Sequence, residues 1–297
     1  MAPERNVTLD GIVLVDKPEG PTSHDVVAMV RKIFNTRKVG HAGTLDPMAT
    51  GMLVIGVGRA TRLLGHLTLS DKEYVGTIRL GIATDTDDAQ GHVTSTATCG
   101  SITDEKILEV VRSFRGHISQ RPSSVSAIKV DGKRAYARVR QGEEVELKPR
   151  DVTVHDLEIL SIVHLAQVDC VDVSVRVVCS AGTYIRALAR DIGKQLGVGG
   201  HLTSLRRTRS GLFTTMSPLD ALRETPKMLD LDEAMRMAFP CITLEVDDAI
   251  RARHGVRVPA PVDSHSGIVG VFNPDGHVVS LGRVENGEVF PVVVFAE

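Results

Sequence analysis

The sequence has 297 residues, about twice the length of a typical domain, so we expect one large domain and a smaller one. Hydrophobic residues make up 42% of it and charged residues 24%, a composition that excludes disordered, collagen-like and coiled-coil chains. Its 35 basic and 37 acidic residues leave a net charge of −2, so the overall balance does not indicate a nucleic-acid partner.

The cysteines and the apolar segments bear on where the protein works. The four cysteines form no CxxC pair and no metal-ligand spacing with the histidines, which predicts a reduced, cytoplasmic protein without a metal site. The N-terminal segment lacks the apolar run of a signal peptide, and no segment approaches the ~18 consecutive apolar residues of a membrane helix. We therefore expect neither export nor membrane insertion. No apolar pattern demands a partner subunit, so a monomer is expected.

The first predicted elements are a strand at residues 12–15 and a helix that begins at Thr22 or Ser23. Thr22 and Asp25 have the spacing of a capping box, in which each side chain binds the other residue's backbone amide. The apolar residues that follow Asp25 recur with helical spacing and form one face. The start of this helix is therefore predicted from local chemistry.

Residues 40–63 form a glycine-rich segment in which the chain must turn tightly. It is not a phosphate-binding loop, because no lysine follows its glycines. Asp46 lies there before a proline, five residues after His41, and an aspartate before proline is most often a turn former. In a pocket it could instead bind a metal, act as a general base or attack as a nucleophile. A buried nucleophilic carboxylate would need an adjacent guanidinium to stay ionised.

Two charged clusters follow the glycine-rich segment. The sequence DTDD contains Asp85, Asp87 and Asp88, for which we predict a solvated turn. Between residues 112 and 140, eight basic residues accompany a single acidic one. Such asymmetry is typical of a segment that faces a polyanion, although a solvated helix face explains the charge equally well.

Strand-like stretches occur at residues 74–80, 152–163, 171–179 and 212–215. In the third stretch apolar residues alternate with mostly polar ones, the pattern of a half-buried strand, and Cys179 falls on the apolar face. We therefore expect Cys179 to lie in the core.

A turn at residues 180–183 leads from the third stretch into a helix that Gly197 ends. Arg186, Arg190 and Lys194 recur every four residues on a different face from the apolar side chains. The helix is therefore expected to present a basic edge.

The C-terminal part begins with an acidic helical stretch at residues 228–238. Short apolar runs follow, separated by the hairpin turn sequences NPDG at 273–276 and NG at 286–287. We place a domain boundary near Pro240 and expect the remainder to be a β-rich module that needs to dock on its neighbour. Because strands and helices mix without strict alternation, the predicted fold class is α+β with a mixed or antiparallel sheet.

Five motifs occur in a distinctive order: GHAGTLDPMATGML, KEYVGTIRLG, TDTDDAQG, AGTYIRALARDIG and LTSLRRTRSG. In this order and spacing, from about Gly11 to Gly211, the sequence resembles the TruB family of tRNA pseudouridine synthases. The resemblance implies a pseudouridine synthase catalytic domain over residues 1–239, its sheet flanked by helices and loops, with a basic RNA-gripping insertion at about 112–148. It also implies a small PUA-like RNA-binding domain over residues 240–297.

The activity that the resemblance implies is isomerisation of the uridine at position 55, in the T-loop of tRNA, to pseudouridine. The family needs no cofactor and no metal for this reaction. By resemblance Asp46 is the nucleophile, and its attack on C6 of the base or on C1′ of the ribose is left open. Arg186 corresponds to the arginine that pairs with the nucleophile, and Tyr74 to the catalytic tyrosine that stacks on the target base and helps to remove the C5 proton. Tyr184 and Leu205 resemble residues that line the uridine pocket.

A T-loop uridine can be reached only after it leaves the base stack. His41 matches the family histidine that enters the RNA where the base departs. The expected contacts with the RNA backbone come from basic side chains: Lys129, Lys133, Arg134, Arg206 and Arg207. The family commonly carries PPxYSAxK in the insertion, whereas residues 122–129 read PSSVSAIK and lack the second proline and the tyrosine. This departure affects the insertion and leaves the catalytic residues in place.

Two other functions fit the same scaffold. A non-catalytic tRNA-binding or tRNA-folding protein is one, but it has no use for a nucleophile, and Asp46, Tyr74 and Arg186 are all present. A guide-RNA-dependent relative is the other, disfavoured because the basic insertion can grip tRNA directly. The expected partner is therefore the T-loop arm of tRNA, without guide RNA and without a membrane.

Overall fold

The computed structural model describes residues 9–123, 129–130, 133–134 and 147–295. Its helices, α1 to α7 in chain order, are Ser23–Ile33, Leu64–Thr68, Asp104–Ser113, Ile185–Gln195, Leu219–Glu224, Leu231–Ala238 and Val246–Arg253. Its strands, β1 to β19 in chain order, are Gly11–Lys17, Val39–Ala42, Thr50–Val57, Lys72–Leu80, Ile82–Thr84, Val93–Thr96, Gly116–Gln120, Lys129–Val130, Lys133–Arg134, Arg150–Leu165, Cys170–Cys179, Gly200–Ser210, Ser217–Pro218, Leu229–Asp230, Cys241–Thr243, Val258–Pro259, Gly267–Phe272, Val278–Glu285 and Glu288–Val294.

The chain divides into two compact units. The first comprises Met1–Pro47, Gly51–Leu69 and Arg209–Glu297, and the second comprises Met48–Thr50 and Ser70–Thr208. Both units combine helices with strands, and the strand pairs are antiparallel with parallel exceptions such as β1 with β13. The predicted α+β class with a mixed sheet is therefore confirmed.

In the first unit β1 is paired on both sides. It runs antiparallel to β3, from Gly11 opposite Val57 to Lys17 opposite Gly51, and β13 and β14 pair with its other edge. Helix α1 packs its apolar face onto the residues of β1 and β3 in one buried cluster. Thr22 is its N-cap, and the capping box with Asp25 is present, as predicted.

The C-terminal sheet has the strand order β15-β17-β18-β19-β16 and also belongs to the first unit. Both predicted hairpins are confirmed, and at the second turn Asn286 and Gly287 have φ values of 53° and 75°, as a type I′ turn requires. Phe272, Leu281 and Phe295 share a buried cluster with residues of β1 and β3. The module therefore docks on its neighbour through a common core, as predicted for a module of its size. The domain boundary near residue 240 stays a prediction.

In the second unit the strands follow the order β12-β4-β11-β10-β7. Strand β11 lies antiparallel between β4 and β10, and its side chains alternate between buried and half-buried as predicted. Cys179 is buried at the end of this strand. The turn after this strand leads directly into α4, the helix that carries Arg186.

Two predicted elements differ from the structure. Residues 212–215 are not a strand, because Gly211 turns the chain at a φ of 58° and only an isolated bridge joins Phe213 to Ser210. Phe213 is buried in the core. Strand propensity largely reflects burial, so it does not distinguish a buried residue in a turn from one in a strand. The helix predicted at residues 228–238 begins later, since Asp230 pairs with β1 and then caps α6 in a capping box.

Candidate functional site

Asp46 belongs to the first unit and lies in the loop that connects β2 with β3. The two strands pair antiparallel, Ala42 opposite Val54, and Gly43 has a φ of 84°, a conformation that favours glycine. Leu45 is buried and Asp46 is half-buried. The predicted tight turn is thus a loop in which Leu45 is buried in the core and Asp46 is partly exposed.

Buried groups hold the backbone on both sides of Asp46. Before it, the Ser23 hydroxyl donates to the Leu45 carbonyl at 3.1 Å and accepts from the Leu45 amide at 2.9 Å. After it, the Pro47 carbonyl accepts from the Lys17 ammonium at 3.2 Å and from the Gly20 amide at 2.9 Å. Lys17 and Ser23 are both buried, at 0% and 1% exposure. The loop around the carboxylate is therefore pinned to β1 and to the start of α1.

We predict that Ser23→Ala loosens this loop. The change removes both hydrogen bonds to Leu45 and leaves buried backbone groups unsatisfied, so the free energy of unfolding should fall by about 1–3 kcal/mol. Hydrogen exchange at the Leu45 amide should accelerate in the same variant. Thr22→Ala is the matched control: it removes the α1 cap, at about 1 kcal/mol, without touching Leu45. Equal Leu45 exchange in the two variants would contradict the prediction.

His41 lies on β2, opposite Ile55, in the same unit as Asp46. Its imidazole is half-buried and meets the ring of His24 edge-on, with ring centroids 5.3 Å apart. His24 itself is exposed on the first turn of α1. The half-buried His41 of the glycine-rich segment is therefore packed against an exposed histidine of α1.

Arg186 lies in the second unit, in the first turn of α4, and is only 5% exposed. Its Nη1 donates to the Thr86 carbonyl at 2.9 Å and to Oδ2 of Asp88 at 3.1 Å. The other oxygen of Asp88 accepts from the Thr86 hydroxyl at 2.6 Å and from the Gln90 amide at 3.0 Å. These contacts fix the Asp88 carboxylate independently of the guanidinium. Its bond to Arg186 then fixes the direction of the Arg186 side chain.

The structure corrects the predictions for the acidic cluster and for the basic edge of the helix. Asp85 is exposed as predicted, but Asp87 and Asp88 are 7% and 4% exposed, so the prediction of a solvated turn is wrong for these two. Arg186 and Arg190, one helical turn apart, face these two carboxylates and leave only Lys194 of the predicted edge exposed. Burial raises the pKa of the Asp87 carboxyl, and the positive charge of Arg190 opposes that shift. The ion pairs of Arg186 with Asp88 and of Arg190 with Asp87 explain why these two carboxylates are buried.

The expected pocket residues also lie in the second unit. Tyr74, on β4 opposite Val177, and Leu205, on β12, are each 8% exposed. Tyr184 precedes α4, where its backbone amide and carbonyl bind the side-chain amide of Gln120 at 2.8 and 3.0 Å. Gln120 is itself buried, so it fixes the chain two residues before Arg186.

The expected RNA contacts divide into three groups. Arg207 is 1% exposed because alternation along β12 turns its side chain inward, so its prediction as an RNA contact is wrong. Burial lowers the pKa of the Lys72 ammonium to about 8, and the positive charge of Arg207 adds to that shift. Arg206 is half-buried. For Lys129, Lys133 and Arg134 the structure describes the paired backbone of β8 and β9, and their side chains lie outside the described residues.

Sequence reasoning missed the groups that hold the site residues in place. Asp88, Gln120, Ser23 and Lys17 were not predicted to have this role. A signal existed for Asp88, because it lies within one of the five motifs and arginines recur every four residues in another. Buried partners of this kind depend on tertiary contacts that periodicity does not reveal.

The described residues hold neither a metal-binding cluster nor a membrane-spanning helix. Among the described residues, no group of three or more histidine, cysteine, aspartate and glutamate side chains is arranged to hold a metal ion. Within the same residues, none of the helices is both long and apolar enough to cross a membrane. Cys99, Cys170, Cys179 and Cys241 are free thiols.

Known proteins similar to this chain are consistent with the motifs. The model of the TruB family pseudouridylate synthase N-terminal domain matches residues 31–185, and two C-terminal models, of tRNA pseudouridylate synthase B and tRNA pseudouridine synthase II, match residues 186–238 and 239–296. The tRNA pseudouridine synthase B of Thermobifida fusca is 52% identical over 97% of this chain and 99% of its own. That of Streptomyces griseus is 50% identical over 99% of both.

Solved structures give the same result for the fold. A chain of an H/ACA RNP bound to a substrate RNA containing 2′-deoxyuridine has a TM-score of 0.71 and 26% identity, covering 99% of this chain and 92% of that one. A chain of a Cbf5-Nop10-Gar1 complex has a TM-score of 0.71 and 29% identity, covering 96% and 83%. The motifs, the matched domain models and the near-complete relatives agree, and this chain belongs to the TruB family of pseudouridylate synthases.

Proposed function

We propose that this protein isomerises the uridine at position 55 of tRNA to pseudouridine, with Asp46 as the nucleophile. The observation that carries the proposal is the identity of 50–52% with enzymes named tRNA pseudouridine synthase B over nearly the whole chain. The family motif supplies the role of Asp46. The buried contacts on either side of that residue support it, because a nucleophile must be held in one position to react efficiently.

The proposed reaction is an isomerisation and balances without an added reagent. The bond between N1 and C1′ breaks, a bond between C5 and C1′ forms, C5 loses a proton and N1 gains one. Asp46 forms a transient bond to C6 or to C1′ and is released unchanged, with the choice between the two carbons left open. Arg186 keeps the nucleophile in its anionic form, since a guanidinium favours a neighbouring carboxylate over the neutral acid.

The target base must leave the T-loop before it can react. Eversion costs a few kcal/mol of stacking and pairing, which contacts with the everted base have to offset. We assign Tyr74 to stacking on the uracil, Tyr184 and Leu205 to the walls of its pocket, and His41 to the space that the base vacates. Tyr74 and Leu205 are each 8% exposed, and the family motifs supply their assignment to the base.

The backbone of the tRNA arm is proposed to bind basic side chains directly, without guide RNA. Lys129, Lys133, Arg134 and Arg206 remain the residues assigned to it, with Arg207 removed because it is buried. Neutralisation of phosphates releases counterions, so the affinity for tRNA should fall steeply as salt increases.

The proposed function predicts release of tritium from position 55 alone. With a tRNA transcript carrying tritium at C5 of its uridines, we expect one tritium released per tRNA molecule. The control transcript differs only in having cytidine at position 55 and should release none. Equal release from both transcripts would contradict the assigned position. Binding of the transcript without release would indicate the non-catalytic tRNA-binding protein instead.

A further inference from the structure

Two ion pairs lie side by side between α4 and the turn that follows β5. Arg186 binds Asp88 at 3.1 Å, and Arg190, one helical turn later, binds Asp87 at 3.0 Å. The first pair belongs to the site described above. The second has no role in the proposed reaction.

Asp87 occupies an unfavourable position. Its φ of 60° lies in the left-handed region, and its side chain is 10% exposed. Its carbonyl accepts from the Leu202 amide at 3.0 Å, so the backbone cannot turn the carboxylate outward without breaking a contact with β12. A buried carboxylate in a fixed conformation requires a cation beside it.

Arg190 supplies that cation and uses the rest of its guanidinium for two further contacts. Nη1 binds Asp87, Nε binds Asp191 at 2.8 Å, and Nη2 donates to the Arg121 carbonyl at 2.7 Å. Each of the three guanidinium nitrogens binds a different acceptor. The single nitrogen of a lysine ammonium cannot reach all three acceptors. One side chain therefore joins α4, the acidic turn and the chain that follows β7.

We propose that Arg190 is a positioning residue for Arg186. By neutralising Asp87 and anchoring the Arg121 carbonyl, it holds the turn in the conformation in which Asp88 binds Arg186. This inference rests on the proposed function, because it assigns Arg190 an effect on the step that Arg186 serves. Arg190 acts through Asp87 and Asp88 and has no contact of its own with the reacting atoms.

The link between the two pairs is the short backbone that they share. Asp87 and Asp88 are consecutive, and the Asp88 carboxylate also accepts from the Gln90 amide. Without Arg190, Asp87 loses the cation that binds it directly and keeps the weaker influence of the Arg186 charge, so the turn moves the carboxylate toward water. That movement displaces Asp88 and, with it, the acceptor that orients Arg186.

The test is one single variant and a double variant that adds a second substitution to it. In Arg190→Gln we expect kcat per folded molecule to fall about ten- to a hundredfold, because small displacements of an orienting group have effects of that size. The affinity for tRNA should stay near that of the unmodified protein. Asp87→Asn combined with Arg190→Gln should recover part of the lost kcat, since it removes the charge that has lost its direct partner.

Lys194→Gln is the matched control, because it removes one positive charge from the exposed side of the same helix. Its kcat should be unchanged, and Arg190→Gln behaving like it would overturn the proposal. A double variant no more active than Arg190→Gln would also overturn it, because the effect would not pass through Asp87. If Arg190→Gln does not fold, Arg190→Lys replaces it, with an intermediate kcat expected and a full kcat contradicting the proposal.

Hydrogen exchange at the Gln90 amide separates this inference from the proposed function. It should accelerate in Arg190→Gln and not in Lys194→Gln, whether or not the protein releases tritium. Accelerated exchange together with an inactive unmodified protein would contradict the proposed function alone. Unchanged exchange and unchanged kcat in Arg190→Gln, with an active unmodified protein, would contradict the role of Arg190 alone.

Discussion

Asp46→Asn is expected to abolish tritium release from the position-55 transcript, lowering kcat by about 10⁴-fold or more. The amide keeps the size and much of the hydrogen bonding of the carboxylate, but it has no anionic oxygen to form a bond with carbon. The loop contacts through Ser23 and Lys17 are made by neighbouring backbone groups and remain available. We therefore expect the affinity for tRNA to change little.

Asp220→Asn is the control for the loss of one negative charge. Asp220 is 86% exposed on α5 and pairs only with the exposed Arg223 among the described contacts. Its kcat and its affinity for tRNA should match those of the unmodified protein. Turnover retained by an Asp46→Asn protein whose asparagine is confirmed intact by mass spectrometry would exclude covalent catalysis by Asp46.

Arg186→Lys is expected to lower kcat by about a hundredfold, even though the positive charge is kept. In the structure the guanidinium is buried, and Nη1 alone satisfies two acceptors, Thr86 and Asp88, while the fork extends beyond them. Lysine has a single side-chain nitrogen, so an ammonium that stays with Asp88 leaves no second nitrogen for the proposed role. The affinity for tRNA should fall less than kcat does.

Arg79→Lys is the matched control for this substitution. Arg79 also lies in the second unit and binds an aspartate, Asp172, through two nitrogens at 2.8 and 2.7 Å, but it has no proposed part in the reaction. We expect its kcat to be normal. A nearly normal rate for Arg186→Lys would place Arg186 outside the catalytic site.

Much of the fold is predictable from the sequence wherever a feature is local. The capping box of Thr22 and Asp25 specifies the start of α1, and Asn286 with Gly287 specifies a hairpin because both adopt positive φ. The alternation that ends at Cys179 specifies a strand with one buried face. Each of these patterns depends on neighbours in the sequence, so no tertiary information is needed.

The site was less predictable, and the reasons are physical. Asp46, Arg186 and Tyr74 were identified by motif resemblance, whereas the burial of Asp87 and Asp88 depends on a helix about a hundred residues away in the sequence. Charge alone indicated solvent for these aspartates and RNA for Arg207, yet all three are buried. An ionisable side chain is buried when a distant partner compensates it, and the sequence does not show that partner.

The central claim is that this chain makes pseudouridine at one position of tRNA. The most direct measurement is to incubate an unmodified transcript with the protein, modify its pseudouridines with a carbodiimide and map the stops of reverse transcription. We expect a single new stop that reports position 55, absent when Asp46→Asn replaces the unmodified protein. No new stop, or a stop at another uridine, would contradict it.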